Sequence, residues 1–353
     1  MGDAAALGFI SSLGPFSVNT YVPGFHEMAA DFGTTLVAVQ QTMTIYLITY
    51  AVSCLFVGTL SDTYGRKPTM VAGMMVFAAA SIGALLSQSL YTLCFWRFVQ
   101  GLGAAVGQVV SQAMVRDRWS GAHAAAMNGM IAMFFALSPA LAPILGGWIV
   151  LHGGWHYVFV FLAAYSCAIA LYTVVVMPET LPKDKRVPLT PLRSALLYKK
   201  CFGHKAFMAG VVSHGFCFMG GILYSAGAAD FVITIMGLDV DQFAWLTLPL
   251  VGTSIIGAWL SAKILKKLHH GLMLALCMGL MIAAQLASAA AGFVHPLAFP
   301  CILIGPVLYW LGMSLARPVM MAMNLDYFAD NRGLAASVQQ FFCTASFSIC
   351  PLI

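Results

Sequence analysis

Residues 58–68 read GTLSDTYGRKP, and the chain on both sides of them is apolar: VSCLF occupies 52–56 and TMVAGMMVFAAA occupies 69–80. Gly58 lets one helix come close to another, and Gly65 permits a tight turn. Asp62, Arg66 and Lys67 place opposite charges on a connector too short to leave a membrane surface. The stretch therefore reads as the turn of a hairpin made of two membrane-crossing helices.

Composition extends this reading to the whole chain. Of 353 residues, 61% are hydrophobic and 8% charged, against about 45–50% and about 25% in soluble domains, which excludes a water-soluble globule. With about 20 apolar residues needed per crossing, eleven apolar runs qualify as spans: 5–21, 39–60, 68–86, 91–115, 123–151, 155–177, 206–228, 242–262, 271–293, 296–320 and 333–353. They are far longer than barrel strands, and lipid offers the backbone no partner, so the spans are expected to be helices.

The basic residues test that division. Arg66 and Lys67 follow run 2, Arg116 and Arg118 follow run 4, and Lys183, Lys185, Arg186, Arg193, Lys199, Lys200 and Lys205 follow run 6. Lys263, Lys266 and Lys267 follow run 8 and Arg332 follows run 10, while the loops after the odd runs carry none. By the positive-inside rule the even runs end in the cytoplasm and the N-terminus is cytoplasmic. The net charge of +5 thus reports orientation in the lipid bilayer and argues against nucleic acid as a partner. The nine cysteines lie mostly in apolar runs, without CxxC pairs or Cys/His clusters, so neither disulfide nor metal chemistry is expected. The opening MGDAAALGF lacks a basic leader, so the first run is expected to be a retained span.

The polar stretch 179–205 divides a six-helix half, 1–178, from a second half, 206–353, with five runs. Leu60 and Ser61 before Arg66 and Lys67 recur as Leu260 and Ser261 before Lys266 and Lys267, a faint echo between the halves. Five runs in the second half lead us to expect a twelfth helix missing from this chain. Within run 4, Arg97 lies where an arginine costs about 2.5–3.5 kcal/mol, so it is expected to face the interior. GLGAAVG, residues 101–107, follows no strand, which favours helix packing through Gly103 and Gly107 over dinucleotide binding. In SPALAPILGGWI, residues 138–149, Pro139 and Pro143 are expected to bend the helix into a hinge, with Gly146 and Gly147 admitting a neighbour.

Here the residues meet a known pattern. The loop 58–68 resembles the G-x-L-x-D-x-x-G-R-K signature of the major facilitator superfamily at every fixed position. Arg97 with Gln100 and Gly101 resembles the superfamily's fourth-helix motif, and 138–149 is similar to its antiporter signature, with Ser138 in place of the usual glycine. GPFSVNTYVPGFHEMAADFG (14–33), VMPETLP (176–182) and, more weakly, ADFVITIMGLDVDQFAWL (229–246) resemble the Bcr/CflA drug-resistance branch. The resemblance implies an all-α polytopic fold of two pseudo-symmetric six-helix bundles. It implies proton-driven, multidrug-type export of small, mostly lipophilic compounds across a bacterial inner membrane, without a bound cofactor and as a monomer. It also implies that Asp62, Arg66 and Asp117 form a cytoplasmic charge cluster that latches the outward-open state.

One departure bears on coupling. Where that branch usually carries an aspartate before Tyr-x-Pro, this chain has Asn19, which cannot titrate. The spans place every acid at or near a membrane face, leaving His214 and Asp230 as the residues to carry a proton. The substrate path is expected near mid-membrane between the halves, with Asn19, Tyr46, Tyr50, Arg97, Gln108, Gln112, His214, Tyr309 and Gln340 as polar candidates and the 21 methionines as adaptable apolar surface. The missing acid favours, as an alternative, an uptake carrier or uniporter without proton coupling. An integral-membrane enzyme is disfavoured, because His152 with His156 and His269 with His270 lack acidic partners. A non-transporting regulator is the third reading.

Overall fold

Every long apolar run becomes one helix, because in hydrocarbon the backbone must pair within its own segment. The computed structural model describes residues 2–119, 121–188, 191–230, 243–264, 270–294, 299–328 and 332–349. The run-length helices are α1 (Gly2–Asn19), α3 (Leu36–Tyr64), α4 (Arg66–Leu85), α5 (Leu90–Arg118), α6 (Gly121–Gly153), α7 (His156–Val175), α9 (Lys205–Asp230), α10 (Phe243–Ile264), α11 (His270–Val294), α12 (Phe299–Asp326) and α13 (Arg332–Ile349). Each falls within a few residues of an expected span. Two shorter helices were not expected: α2 (Phe25–Asp31), between the first two spans, and α8 (Pro191–Gly203), in the basic stretch. Lys266, Lys267, Asp239, Asp241, Asp330, residues 231–242 and residues 350–353 lie outside the described residues, as do the side chains of Pro139 and Asp230.

Local chemistry sets several helix ends. Thr35 caps α3 by accepting from the Ala38 N–H at 3.3 Å. Ser89 and Thr92 form a reciprocal capping box at the start of α5. α3 stops at Gly65, whose φ of 105° few other residues adopt.

The described chain forms two compact units, Met1–Cys201 with Gln340–Ile353, and Phe202–Gln339. In the first, α5 lies against α3, α4 and α1, and α4 also packs on α7. Glycines make this possible: a Cβ at Gly101, Gly103 or Gly107 would come within 2.6 Å of the carbonyl oxygen of Tyr46, Gly73 or Ile10 respectively. The glycine run of α5 is thus a packing surface, as expected from a span with no preceding strand. Leu13, Tyr46, Met74, Phe77, Phe159 and Leu162 fill the core around it. The second unit packs α12 against α11, α10 and α9 around Met273, Leu315, Val319 and Met320. Phe56, Ile82, Leu171, Trp259 and Leu286 are exposed, as suits surfaces facing lipid rather than water.

One expectation about α6 is corrected. Gly146 does admit a neighbour, since a Cβ there would strike the Thr20 carbonyl, but a Cβ at Gly147 would meet nothing within 4 Å. Consecutive helical residues point about 100° apart, so only one of the pair can face α1. α6 runs as a single helix from Gly121 to Gly153, with Pro143 half-buried.

Candidate functional site

The turn between α3 and α4 assembles the first constellation. Gly65 gives its N–H to Ser61 O at 3.2 Å, which leaves Arg66 as the first residue of α4 with its side chain folded back. Arg66 Nη1 lies 2.5 Å from Asp62 Oδ1 and donates to Ser61 Oγ at 2.6 Å. Its Nε donates to Asp117 Oδ2 at 2.8 Å, tying in the end of α5. The guanidinium is nearly buried at 8% side-chain exposure, Asp117 is 20% exposed and Asp62 48%. Asp117 is therefore the less screened partner.

The residues after α7 complete this cluster. Glu179 accepts from the backbone N–H of Arg66 at 3.0 Å and of Lys67 at 3.3 Å, placing a carboxylate on the positive end of α4. It also accepts from Leu181 N at 3.0 Å and Arg186 Nη2 at 3.5 Å. Thr180 Oγ1 donates to Asp117 Oδ2 at 3.1 Å. Val187 N donates to Asp62 O at 3.1 Å, and Thr63 Oγ1 to Val187 O at 2.9 Å. Lys67 extends away to the Val174 carbonyl at 2.8 Å, near the negative end of α7. A side chain at Gly65 would collide with the Glu179 carboxylate and the Arg186 guanidinium. The stretch after α7 is thus bound to the motif turn, and α8 docks beyond it with the Tyr198 hydroxyl donating to Leu55 O. Burial pushes the Tyr198 phenol up to about 12 and the Cys201 thiol above its usual value.

At the other end of this unit, α2 holds the turn between α6 and α7. Trp155 Nε1 donates to Asp31 Oδ2 at 2.6 Å, and Trp155 N to Glu27 Oε2 at 3.1 Å. Gly154 at this turn has a φ of 82°.

Between these ends lies Arg97, fully buried. Its Nη1 donates to Gln100 Oε1 at 2.6 Å and to Ser17 Oγ at 3.1 Å, and Gln100 Nε2 is in turn anchored on Ser81 Oγ at 2.7 Å. Tyr21 and Tyr46 set their rings 4.5 and 4.2 Å from Cζ. Such desolvated cation–π contacts are worth about 2 kcal/mol each, comparable with the about 2.5–3.5 kcal/mol cost of an arginine within a span. Farther along α5, Tyr50 donates to Gln108 Oε1, Gln108 Nε2 to Gln340 Oε1 at 3.5 Å, and Gln340 Nε2 to Thr344 Oγ1 at 3.2 Å. This chain of hydrogen bonds contains no ionisable carboxyl group.

A sequence profile described as Major Facilitator Superfamily matches residues 6–351. The chain belongs to the major facilitator superfamily. Its relatives include the bicyclomycin resistance protein homolog of Haemophilus influenzae, 30% identical over 274 residues, which cover 78% of this chain and 69% of the relative. The chloramphenicol resistance protein CraA of Acinetobacter baumannii is 25% identical over 335 residues, covering 94% of this chain and 80% of CraA. A crystal structure of a D-xylose–proton symporter aligns with a TM-score of 0.73 at 14% identity, covering 99% of this chain and 88% of that one. At that identity the likeness carries the fold alone. The chain is accordingly a polytopic membrane transporter of the drug-resistance group and not an enzyme.

In this facilitator the sequence candidates divide into groups. Asp62, Gly65, Arg66 and Asp117 come together, while Gly58 serves the same turn through its carbonyl, which accepts from Ser61 Oγ at 2.9 Å. Arg97, Gln100 and Tyr46 form the buried arginine centre, and Tyr50, Gln108 and Gln340 form the neutral chain. Asn19 is half-buried and gives its Nδ2 to Pro15 O at 2.8 Å. Gln112 is half-buried on α5. In the second unit, buried His214 shares a hydrogen bond with Gln339, and the Tyr309 hydroxyl donates to Cys217 O at 2.7 Å. Ser17, Tyr21, Ser81, Glu179, Thr180 and Arg186 were not picked out as site residues. Only Glu179 left a usable trace, as the one acid of the quoted stretch VMPETLP.

Proposed function

We propose that this transporter exports small, mostly lipophilic compounds across a bacterial inner membrane by alternating access, driven by the proton gradient and with its N-terminus in the cytoplasm. The observation that carries this reading is the closed charge cluster of Arg66 with Asp62, Asp117 and Glu179. It fastens α3, α4, α5 and the stretch after α7 at one end of the six-helix half 1–178, and its partners are groups that a conformational change can separate. Opposite charges held at a nearly buried guanidinium suit a latch, closed in one conformer and opened in another. The Lys/Arg distribution supports a cytoplasmic location for this cluster. The printed names of the relatives, resistance proteins for bicyclomycin and chloramphenicol, support export of drug-like molecules.

A second reading, a uniporter or uptake carrier without proton coupling, is favoured by Asn19, which stands in α1 as a neutral amide bonded to Pro15. Everted membrane vesicles separate the two. Under an imposed pH gradient, acid inside, the exporter accumulates chloramphenicol, and collapsing the gradient releases it. Accumulation that ignores the gradient would remove proton antiport and leave the second reading.

A further inference from the structure

The guanidinium of Arg97 is used on one side only. Nη1 serves Gln100 and Ser17, and Cζ lies over the rings of Tyr21 and Tyr46. Nε and Nη2 are buried and have no hydrogen-bond partner. These two nitrogens form one edge of the guanidinium, where their N–H bonds run parallel as a fork that matches the two oxygens of a carboxylate. Gln100, itself held by Ser81, fixes the fork's direction.

Among the described residues nothing accepts from that edge. Arg97 makes no ion pair among the described residues. The described acids stand near helix ends or in connecting segments: Asp3 at the start of α1, Glu27 and Asp31 on α2, Asp62 at the end of α3, Asp117 at the end of α5, Glu179 and Asp184 after α7, Asp230 closing α9 and Asp326 closing α12. An arginine remains charged however deeply it is buried, and the two ring contacts offset its desolvation without giving Nε or Nη2 an acceptor.

We infer that the Nε–Nη2 edge of Arg97 docks the carboxylate of a ligand, and that planar, lipophilic carboxylic acids belong to the compounds this transporter carries. The inference rests on the export reading for the direction of movement and deepens it by naming a substrate class. A flat aromatic acid is favoured because its carboxylate lies in the plane of the ring and so matches the two N–H bonds of the fork, which also share one plane. A spherical ion such as chloride supplies the charge but not two oxygens at the spacing of the fork. Both nitrogens are shut from solvent in this conformer, so the ligand enters through one in which α1 and α5 part.

The test uses the purified full chain in detergent, in chloride-free HEPES buffer, with thermal unfolding measured against benzoate, benzamide and sodium chloride. The inference expects the melting temperature to rise with benzoate concentration and to stay unmoved by benzamide or by chloride at the same concentration. Arg97→Lys keeps the charge and removes the fork, and should need roughly tenfold more benzoate for the same shift. If that variant does not fold, the comparison of three ligands on the unaltered chain decides alone. An absent benzoate shift, an equal shift with benzamide, or an equal shift with chloride would each overturn the inference. Binding is read here without a gradient, which keeps the two readings separable. No benzoate shift beside intact chloramphenicol efflux sinks the carboxylate site only, whereas a benzoate shift in a chain that exports none of a broad drug panel sinks the exporter reading only.

Discussion

At the motif turn, the two acids that hold Arg66 are not equivalent. Asp62 contacts it at 2.5 Å but is 48% exposed, while Asp117 contacts it at 2.8 Å with 20% exposure. Water and salt screen the first pair more than the second. Asp117→Asn should therefore lower drug efflux more than Asp62→Asn, each measured in an efflux-deficient host at matched membrane abundance. Equal, undiminished efflux in both would show that the cluster is not a latch. Gly65 offers a second test. Its φ of 105° and the crowding of Glu179 and Arg186 around its missing side chain leave no room for a Cβ. Gly65→Ala should cost about 1 kcal/mol or more, seen as a lower unfolding temperature of the purified chain.

Among the elements, those that cross lipid were legible and those that do not were missed. A span announces itself by about 20 apolar residues, so eleven runs foretold eleven helices. α2 and α8 are too short to carry that signal. Their roles come from contacts between residues far apart in sequence, such as Trp155 with Glu27 and Tyr198 with Leu55. Glu179 escaped notice for the same reason: its value lies in reaching the N-terminus of α4, 113 residues earlier in the chain. Arg97 was legible as an inward-facing charge, because its cost in lipid is local, but the lack of an acceptor at Nε and Nη2 depends on which neighbours reach which nitrogen. Glu179→Gln keeps the shape and removes the charge from the α4 terminus, and should cost about 1 kcal/mol, measured by chemical unfolding beside unaltered insertion. On α8, the buried Cys201 thiol sits above its ordinary value, so less of it is thiolate at any given pH. Its alkylation by iodoacetamide should begin at higher pH than that of a free cysteine and converge with it once the protein is unfolded. An identical pH profile in the folded chain would contradict the docking of α8.

Across the whole molecule, charge is sorted by depth. Among the described residues carboxylates stand near helix ends or in connecting segments, most cations follow the even spans, and Arg97 lies inside α5, far from its charged end, among hydrogen-bonding neutral groups. Under the function proposed above, such a carrier would move its cargo by exposing a central crevice to one compartment and then the other. The direct test places a single cysteine at Gln108, within α5, in a chain whose nine native cysteines are replaced and which still transports. A membrane-impermeant thiol reagent is then applied from each side of sealed vesicles. Alternating access predicts labelling from both sides, with the balance shifting when a pH gradient is imposed. Labelling that stays blocked from one side in vesicles that are actively transporting would contradict it.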